Sequence, residues 1–270
     1  MKQFLGTAMV LAMIAGWSPS GQAQWVIDFE DLNAAGDGLI NHGRVIDTEW
    51  SSQIIGAGAG LGVEISATNL HSHCNHPDLA VAFDSHRTGT QDGDLEDPFY
   101  HVSDPGHDGP IFRPGNILII QENHDGCSDG TCDRPDDEGS RPAGFFDFTF
   151  SAPVSLTSID FFDVETEEDG GGPNNEIFFY DGTGAQIGAT LYTPDTGGDN
   201  QWDRLTFSRT GVIRMVIEMG GSGAIDRIVG AATTQEVPEA GALSIMLTGL
   251  VGLALTRRRR STTMGRHSPT

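Results

Sequence analysis

Between residues 24 and 237, apolar positions recur in short runs, several of them with a period of two. Phe146, Phe148 and Phe150 alternate with Asp147 and Thr149, and Ile213, Met215, Ile217 and Met219 share one parity. Successive side chains of a strand point to opposite faces, so this alternation predicts strands with one buried face. Strands are expected over 25–29, 62–67, 79–83, 117–121, 144–150, 155–162, 176–180, 186–191, 202–207, 212–219 and 224–229. Asp181, Gly182 and the glycine that follows predict a hairpin turn between two of these runs. Helical periodicity is almost absent. Many short strands between Gly, Asp, Asn and Pro clusters argue for an all-β chain, a single β-sandwich of jelly-roll-like type. Two stretches, 84–115 and 122–142, interrupt the pattern as long acidic loops, and loops of that length are usually functional or disordered.

The two ends carry a different pattern. Lys2 precedes an apolar run over 4–17, and Gly21-Gln22-Ala23 places small residues before Gln24. That is the layout of a signal peptide over 1–23. Ala240 to Thr256 is an uncharged stretch of 17 residues. As a helix it is about 25 Å long against a hydrocarbon core of about 30 Å, a short transmembrane span. Arg257, Arg258, Arg259 and Arg260 follow it and orient it with the arginines cytoplasmic. The expected organisation is a signal peptide over 1–23, an exported domain over 24–230 and a linker over 231–236. A C-terminal element over 237–260 with its helix at 240–256 comes next, then a cytoplasmic tail over 261–270.

Charge narrows the partners. Of the 15 basic residues, Lys2 and the arginines at 257–260 and 266 lie outside the segment 24–237, and of the 38 acids only Glu239 does. Nine arginines then face 37 acids, a net charge of −28 with no lysine. Nucleic acid and anionic membrane surfaces are poor partners for such a field, while divalent cations are good ones. Cys74, Cys127 and Cys132 all fall in the exported segment, where disulfides are allowed. Cys127 and Cys132 are expected to close a six-residue loop, for about 2 kcal/mol by loop entropy.

The candidate chemistry is mostly carboxylate. The loop from Phe83 through Pro98 offers Asp84, Asp92, Asp94, Glu96 and Asp97 as hard oxygen ligands on a Gly-rich backbone, which suits Ca2+ with its 6–8 oxygens and flexible geometry. The spacing is not that of an EF-hand. The second loop carries Glu122, Asp125, Asp129, Asp133, Asp136, Asp137 and Glu138, and if the loops converge Glu122 and Asp125 would complete the first site. Asp28, Glu30 and Asp31 near the start, with Ser222, Gly223 and Asp226 near the end, would meet if the first and last strands are neighbours, and could share a cation there. His71, His73 and His76 around Cys74 could hold zinc or copper, although the spacing matches no structural-zinc pattern. Exposed loop histidines are the plainer account. Trp25, Trp50 and Trp202 could stack on sugars, but a tryptophan in a sandwich is more often core. No Gly-x-Ser-x-Gly elbow, His-Glu-x-x-His helix or phosphate loop is present, so no catalytic residue is assigned.

Val237-Pro238-Glu239-Ala240, the hydrophobic stretch and the arginine cluster together resemble the PEP-CTERM sorting signal of exported bacterial proteins. The resemblance implies processing by an exosortase in a Gram-negative, exopolysaccharide-producing bacterium. The exported segment also resembles an uncharacterised β-domain often attached to such signals. The matching pieces are Ile27-Asp28-Phe29-Glu30-Asp31-Leu32, Phe83-Asp84-Ser85, Asp92-Gly93-Asp94-Leu95, Gly115 to Glu122, Gly198-Asp199-Asn200 and Gly221 to Asp226. That second resemblance implies no activity.

The expectation is therefore a protein exported by Sec, held as an inner-membrane precursor with its domain in the periplasm. The mature form would lie at the cell surface or in the extracellular matrix. Its function would be non-enzymatic and calcium-stabilised, in adhesion or association with exopolysaccharide or cell-surface glycan. The alternative is an extracellular polysaccharide-acting hydrolase using a loop carboxylate pair, about 5–9.5 Å apart.

Overall fold

The computed structural model describes residues 24–31, 38–57, 60–70, 77–104, 106–122, 126–137, 141–165 and 174–232. All of them lie in the first of two units, Met1–Thr233. The expected signal peptide, the His71, His73, Cys74 and His76 group, Asp125, Glu138, and the expected sorting signal with its helix fall outside these residues. Among the described residues no helix is long and apolar enough to cross a membrane.

The described chain is all-β and contains no helix. Its strands are β1 (Gln24–Ile27), β2 (Val63–Asn69), β3 (Ala80–Asp84), β4 (Tyr100–His101), β5 (Asn116–Ile120), β6 (Cys127–Ser128), β7 (Thr131–Cys132), β8 (Gly144–Phe162), β9 (Glu176–Tyr180), β10 (Leu191–Tyr192), β11 (Gln201–Met219) and β12 (Ala224–Ala232). Ten of them form one large sheet with the path β10-β9-β11-β8-β12-β5-β3; β1 pairs with β12, β2 with β8 and β4 with β11. Every pairing in it is antiparallel except β4 with β11. β6 and β7 form a separate two-stranded ribbon closed by the Cys127–Cys132 disulfide.

The two 19-residue strands organise the whole. The first part of β8, from Gly144 to Phe150, lies between β2 and the second part of β11. Its second part, from Val154 to Phe162, lies between β12 and the first part of β11. Register shifts fall between Thr206 and Arg209, Thr210 and Val212, and Val212 and Arg214. Bulges of this kind bend and twist a strand. Phe146, Phe148, Phe150, Met215 and Ile217 from one half share a single buried cluster with Leu118, Ile120, Leu156, Phe161 and Ile225 from the other. One sheet contributing to a common core from both of its halves is consistent with a β-sandwich.

Alternation held along the first half of β8, where Asp147 and Thr149 face away from the buried phenylalanines; in the second half the core positions change parity, from Val154 and Leu156 to Ile159 and Phe161. It failed at one place on β11. Val212, not Ile213, is the fully buried residue there, because the extra residue of the bulge inverts the parity before Met215 resumes it. Trp25 and Trp50 are core. Trp202 is half-buried, packed with Phe112 and Phe162.

The acidic loops are more structured than their composition suggests. β3 and β5 are buried on both faces. Ala82, Leu118 and Ile120 point into the main core, while Val81, Phe83, Ile117 and Ile119 join a second cluster with Leu95, Phe99 and Phe162. The 84–115 loop thus covers the outer face of the sheet with Leu95 and Phe99. The ribbon segment closes over the same face through Cys132, whose N–H donates to the Gly43 carbonyl at 2.6 Å. Gly43 has φ +84°, and a Cβ there would strike the Cys132 carbonyl oxygen, so the close approach requires glycine.

Candidate metal centre

The antiparallel ladder of β8 and β11 ends at Phe162 and Trp202. One residue on, the Asp163 N–H donates to the Gln201 carbonyl at 3.1 Å, in the left-handed conformation at φ 56°. Glu165 follows two residues later, and Asp199 lies two residues before β11. Thr196 and Val164 are joined by two hydrogen bonds, Thr196 N–H donating to the Val164 carbonyl at 2.7 Å and Val164 N–H to the Thr196 side-chain Oγ1 at 2.9 Å. These bonds hold the two chain ends together. Asp163, Glu165 and Asp199 are left with ligand oxygens all within 4.8 Å of one another, a group that could hold a metal ion.

Three further carboxylates converge from the covering loops. Asp137 arrives from the second acidic loop, where its Oδ2 accepts the Gly223 N–H at 2.6 Å. Ser222 Oγ lies between Asp137, at 3.3 Å, and Asp163 Oδ2, at 3.2 Å. Asp92 and Asp94 arrive from the first. Asn200 anchors that loop, its Nδ2 donating to the carbonyls of Asp94 at 3.0 Å and Glu96 at 2.5 Å. The centre therefore draws on five separated parts of the sequence, with the turn between β11 and β12 supplying neutral donors.

Its electrostatics are one-sided. Burial pushes the Asp163 carboxyl up to about 8, with Asp94, Asp92 and Glu165 adding to the shift and a hydrogen bond from Ser222 opposing it. Burial also raises Asp137 well above the usual carboxylate range, reinforced by the facing Asp92 carboxylate and by Asp163. Asp94 is raised by burial and by Asp199 and Asp92. The neighbouring charges acting most strongly on all three are carboxylates. Asp92 is fully buried, and among the described residues its carboxylate oxygens face only the Asp137 carboxyl; Asp163 Oδ1 is also buried without a donor there. Buried anions without donors are costly unless a proton or a cation lies among them. The donor set is entirely hard oxygen, the kind that suits Ca2+ and Mg2+ and not softer metals.

The residues singled out in the sequence distribute as follows. Asp92 and Asp94 belong to this centre. Glu96 turns one oxygen to its own loop, where its Oε1 accepts the N–H of Thr90 at 2.7 Å and the Thr90 hydroxyl at 2.9 Å. Glu122 lies two residues past β5, its N–H donating to the Asp136 carbonyl at 2.8 Å, next to Asp137. The two acidic loops thus meet, through Asp137. Asp84 lies elsewhere, beside His86 and Arg87.

The first and last strands are neighbours, with Gln24 opposite Ala231 and Ile27 opposite Ile228. This forms a second acidic group from Asp28, Asp160 and Asp226. Asp226 is buried and raised well above the usual range by burial, with Asp160 and Asp28 adding to it. Unlike the first centre it contains cations: Arg204 grips Asp160 at 2.5 and 2.7 Å, and Arg227 Nε lies 3.6 Å away. Glu30 turns aside to Asn116, whose N–H it accepts at 2.7 Å, and burial raises its carboxyl. Ser222 and Gly223, read in the sequence with this group, serve Asp137 and Asp163 instead.

Sequence reasoning missed Asp163 and Glu165 as ligands and noted Asp199 only within a matching piece. The available signal was their position just beyond strands that prove to be paired. No protein-family model matches the chain, and no curated protein matches it.

Proposed function

We propose that this chain is an exported, non-enzymatic β-sandwich protein stabilised by calcium, acting in adhesion or exopolysaccharide association at the cell surface or in the matrix. The observation that carries the reading is Asp163, buried beside Glu165 and Asp199 with one carboxylate oxygen lacking any donor. Asp163, Glu165 and Asp199 hold the ion, and the Asp92–Asp137 pair supplies negative charge behind it. Calcium is the cation of choice because the ligands come from irregular backbone and differ in reach, which a flexible 6–8-coordinate ion accepts and an octahedral Mg2+ does not. The signal peptide and the PEP-CTERM-type element expected at the two ends support an exterior location, with an exosortase-type enzyme as processing partner. The hydrolase alternative would need its acids open to a sugar; the burial of Asp137 and Asp163 supports the ion-holding reading over it.

Titration of the purified 24–235 segment with calcium after chelator treatment tests the proposal. At 100 times Kd the ion contributes about 2.7 kcal/mol, which should raise Tm by about 5–10 °C. Unchanged Tm and no heat of binding would sink it.

A further inference from the structure

A cavity of about 670 Å³ opens between the two covering loops. One wall is the 86–91 segment, with His86, Arg87, Thr88 and Gln91; the other is 133–135, with Asp133 and Arg134; His42 also lines it. The volume is within the roughly 300–1,000 Å³ range of small-ligand sites. Its chemistry runs against the rest of the surface. In a segment with nine arginines and 37 acids, two of the arginines line this one cavity. Arg204 and Arg214 are gripped by carboxylates at 2.5 Å, whereas Arg87 reaches Asp84 only at 3.9 Å. His42 adds a neutral donor. Its Nδ1 accepts the Asp84 N–H at 3.0 Å, so the uncharged ring carries its proton on Nε2. Burial and Arg87 hold that ring well below the usual histidine range. The lining has no aromatic side chain apart from the histidines, which disfavours stacking on a neutral sugar. Two guanidinium groups, hydroxyls and an amide match a carboxylate, and the one acid of the lining, Asp133, can accept from the hydroxyls beside it.

Both walls end in the acidic centre. The first runs directly into Asp92, and Thr90 Oγ1 donates to the Asp92 carbonyl at 2.7 Å. The second runs into Asp137, held by Gln121, whose Nε2 donates to the Arg134 carbonyl at 3.1 Å and whose Oε1 accepts the Asp136 N–H at 3.3 Å.

We propose that this cavity binds a carboxylate-bearing sugar, a uronate unit of an acidic polysaccharide, and that the cation in the acidic centre sets the spacing of its two walls. The second half rests on the calcium reading above; the first does not. A cation in the acidic centre ties Asp92 and Asp137, and with them the two loops, to one point, which fixes the spacing of the walls that carry Arg87 and Arg134. Coupling of this kind is reciprocal, so the uronate must also tighten calcium binding.

The test is calorimetry of the 24–235 segment with a glucuronate trisaccharide, a neutral glucose trisaccharide and inorganic phosphate, each in millimolar calcium and again with chelator. The uronate should bind, with the neutral sugar and phosphate weaker by about tenfold or more, as expected for loss of a charge-assisted hydrogen bond or of the hydroxyl contacts. Arg87→Gln and Arg134→Gln should each weaken the uronate by a similar factor while leaving the calcium-induced Tm shift intact. Chelation and Asp163→Asn should weaken it with both arginines present. Phosphate binding as tightly as uronate would overturn the sugar assignment, and unchanged affinity in both arginine variants would overturn the site. A calcium shift in Tm with no uronate heat would sink this inference and leave the metal centre standing. Uronate binding indifferent to calcium, in a protein that calcium stabilises, would overturn the coupling alone.

Discussion

Asp163 concentrates the chemistry of the centre in one side chain. Its carboxyl is raised to about 8 from 3.8 because burial and three neighbouring acids penalise its ionised form. Between those values the folded, metal-free protein holds a proton that the unfolded chain has released, so stability falls as pH rises through this window. Chelator-treated protein should therefore melt at a lower temperature at pH 8.5 than at pH 6. Calcium should reverse the trend, since it binds the ionised form and displaces the proton. Melting curves at both pH values with and without calcium check this, and a metal-free Tm rising from pH 6 to pH 8.5 would contradict it. Asp163→Asn removes the penalty and the ligand together. The variant should be more stable than the parent without metal at pH 8, and calcium should no longer raise its Tm. Such a residue is hard to read from sequence. Asp92 and Asp94 stood out by the density of acids around them, but Asp163 is one aspartate after a strand, and only the pairing of β8 with β11 brings Asp199 to it.

At the level of elements, the sequence conveyed the strands far better than their continuity. β8 was read as two runs separated at Pro153, and β11 as two runs separated by the segment around Gly211. Each is one strand that bends, because bulges let a ladder continue through a break in alternation. The expected 186–191 strand reduces to β10 and a single bridge between Tyr180 and Gln186, with Gly188 in the left-handed region between them. The Asp181 turn formed as expected, Asp181 N–H donating to the Ala185 carbonyl at 2.9 Å and Asp181 Oδ1 accepting the Thr183 N–H at 2.8 Å. The packing of the acidic loops through Leu95 and Phe99 was not legible, because two apolar residues among many acids form no pattern. Phe148→Ala, in the middle of β8 with its side chain fully buried, should cost about 3–5 kcal/mol in urea denaturation. The paired substitution Cys127→Ser with Cys132→Ser should cost about 2 kcal/mol, because the closed loop is short. A loss well beyond that would mean the bridge does more than restrict the unfolded chain.

For the molecule as a whole, a net charge of −28 on the segment 24–237 makes self-repulsion a general cost, which any salt relieves by screening. Sodium chloride and calcium chloride at matched ionic strength separate this from site binding. Both should raise Tm, and calcium should add a saturable increment that Asp163→Asn lacks. Equal effects of the two salts would reduce the acidic centre to a charged surface. One topological feature bears on how the chain is made. β1 has its partner in β12, with Gln24 opposite Ala231, so the first of the described strands to be synthesised is completed by the last. At 5–20 residues per second it waits for roughly 10–40 s of chain growth with its edge unsatisfied. Until then the sheet lacks its closing strand. Synthesis of the chain and completion of the fold are thereby ordered in time, by strand order alone.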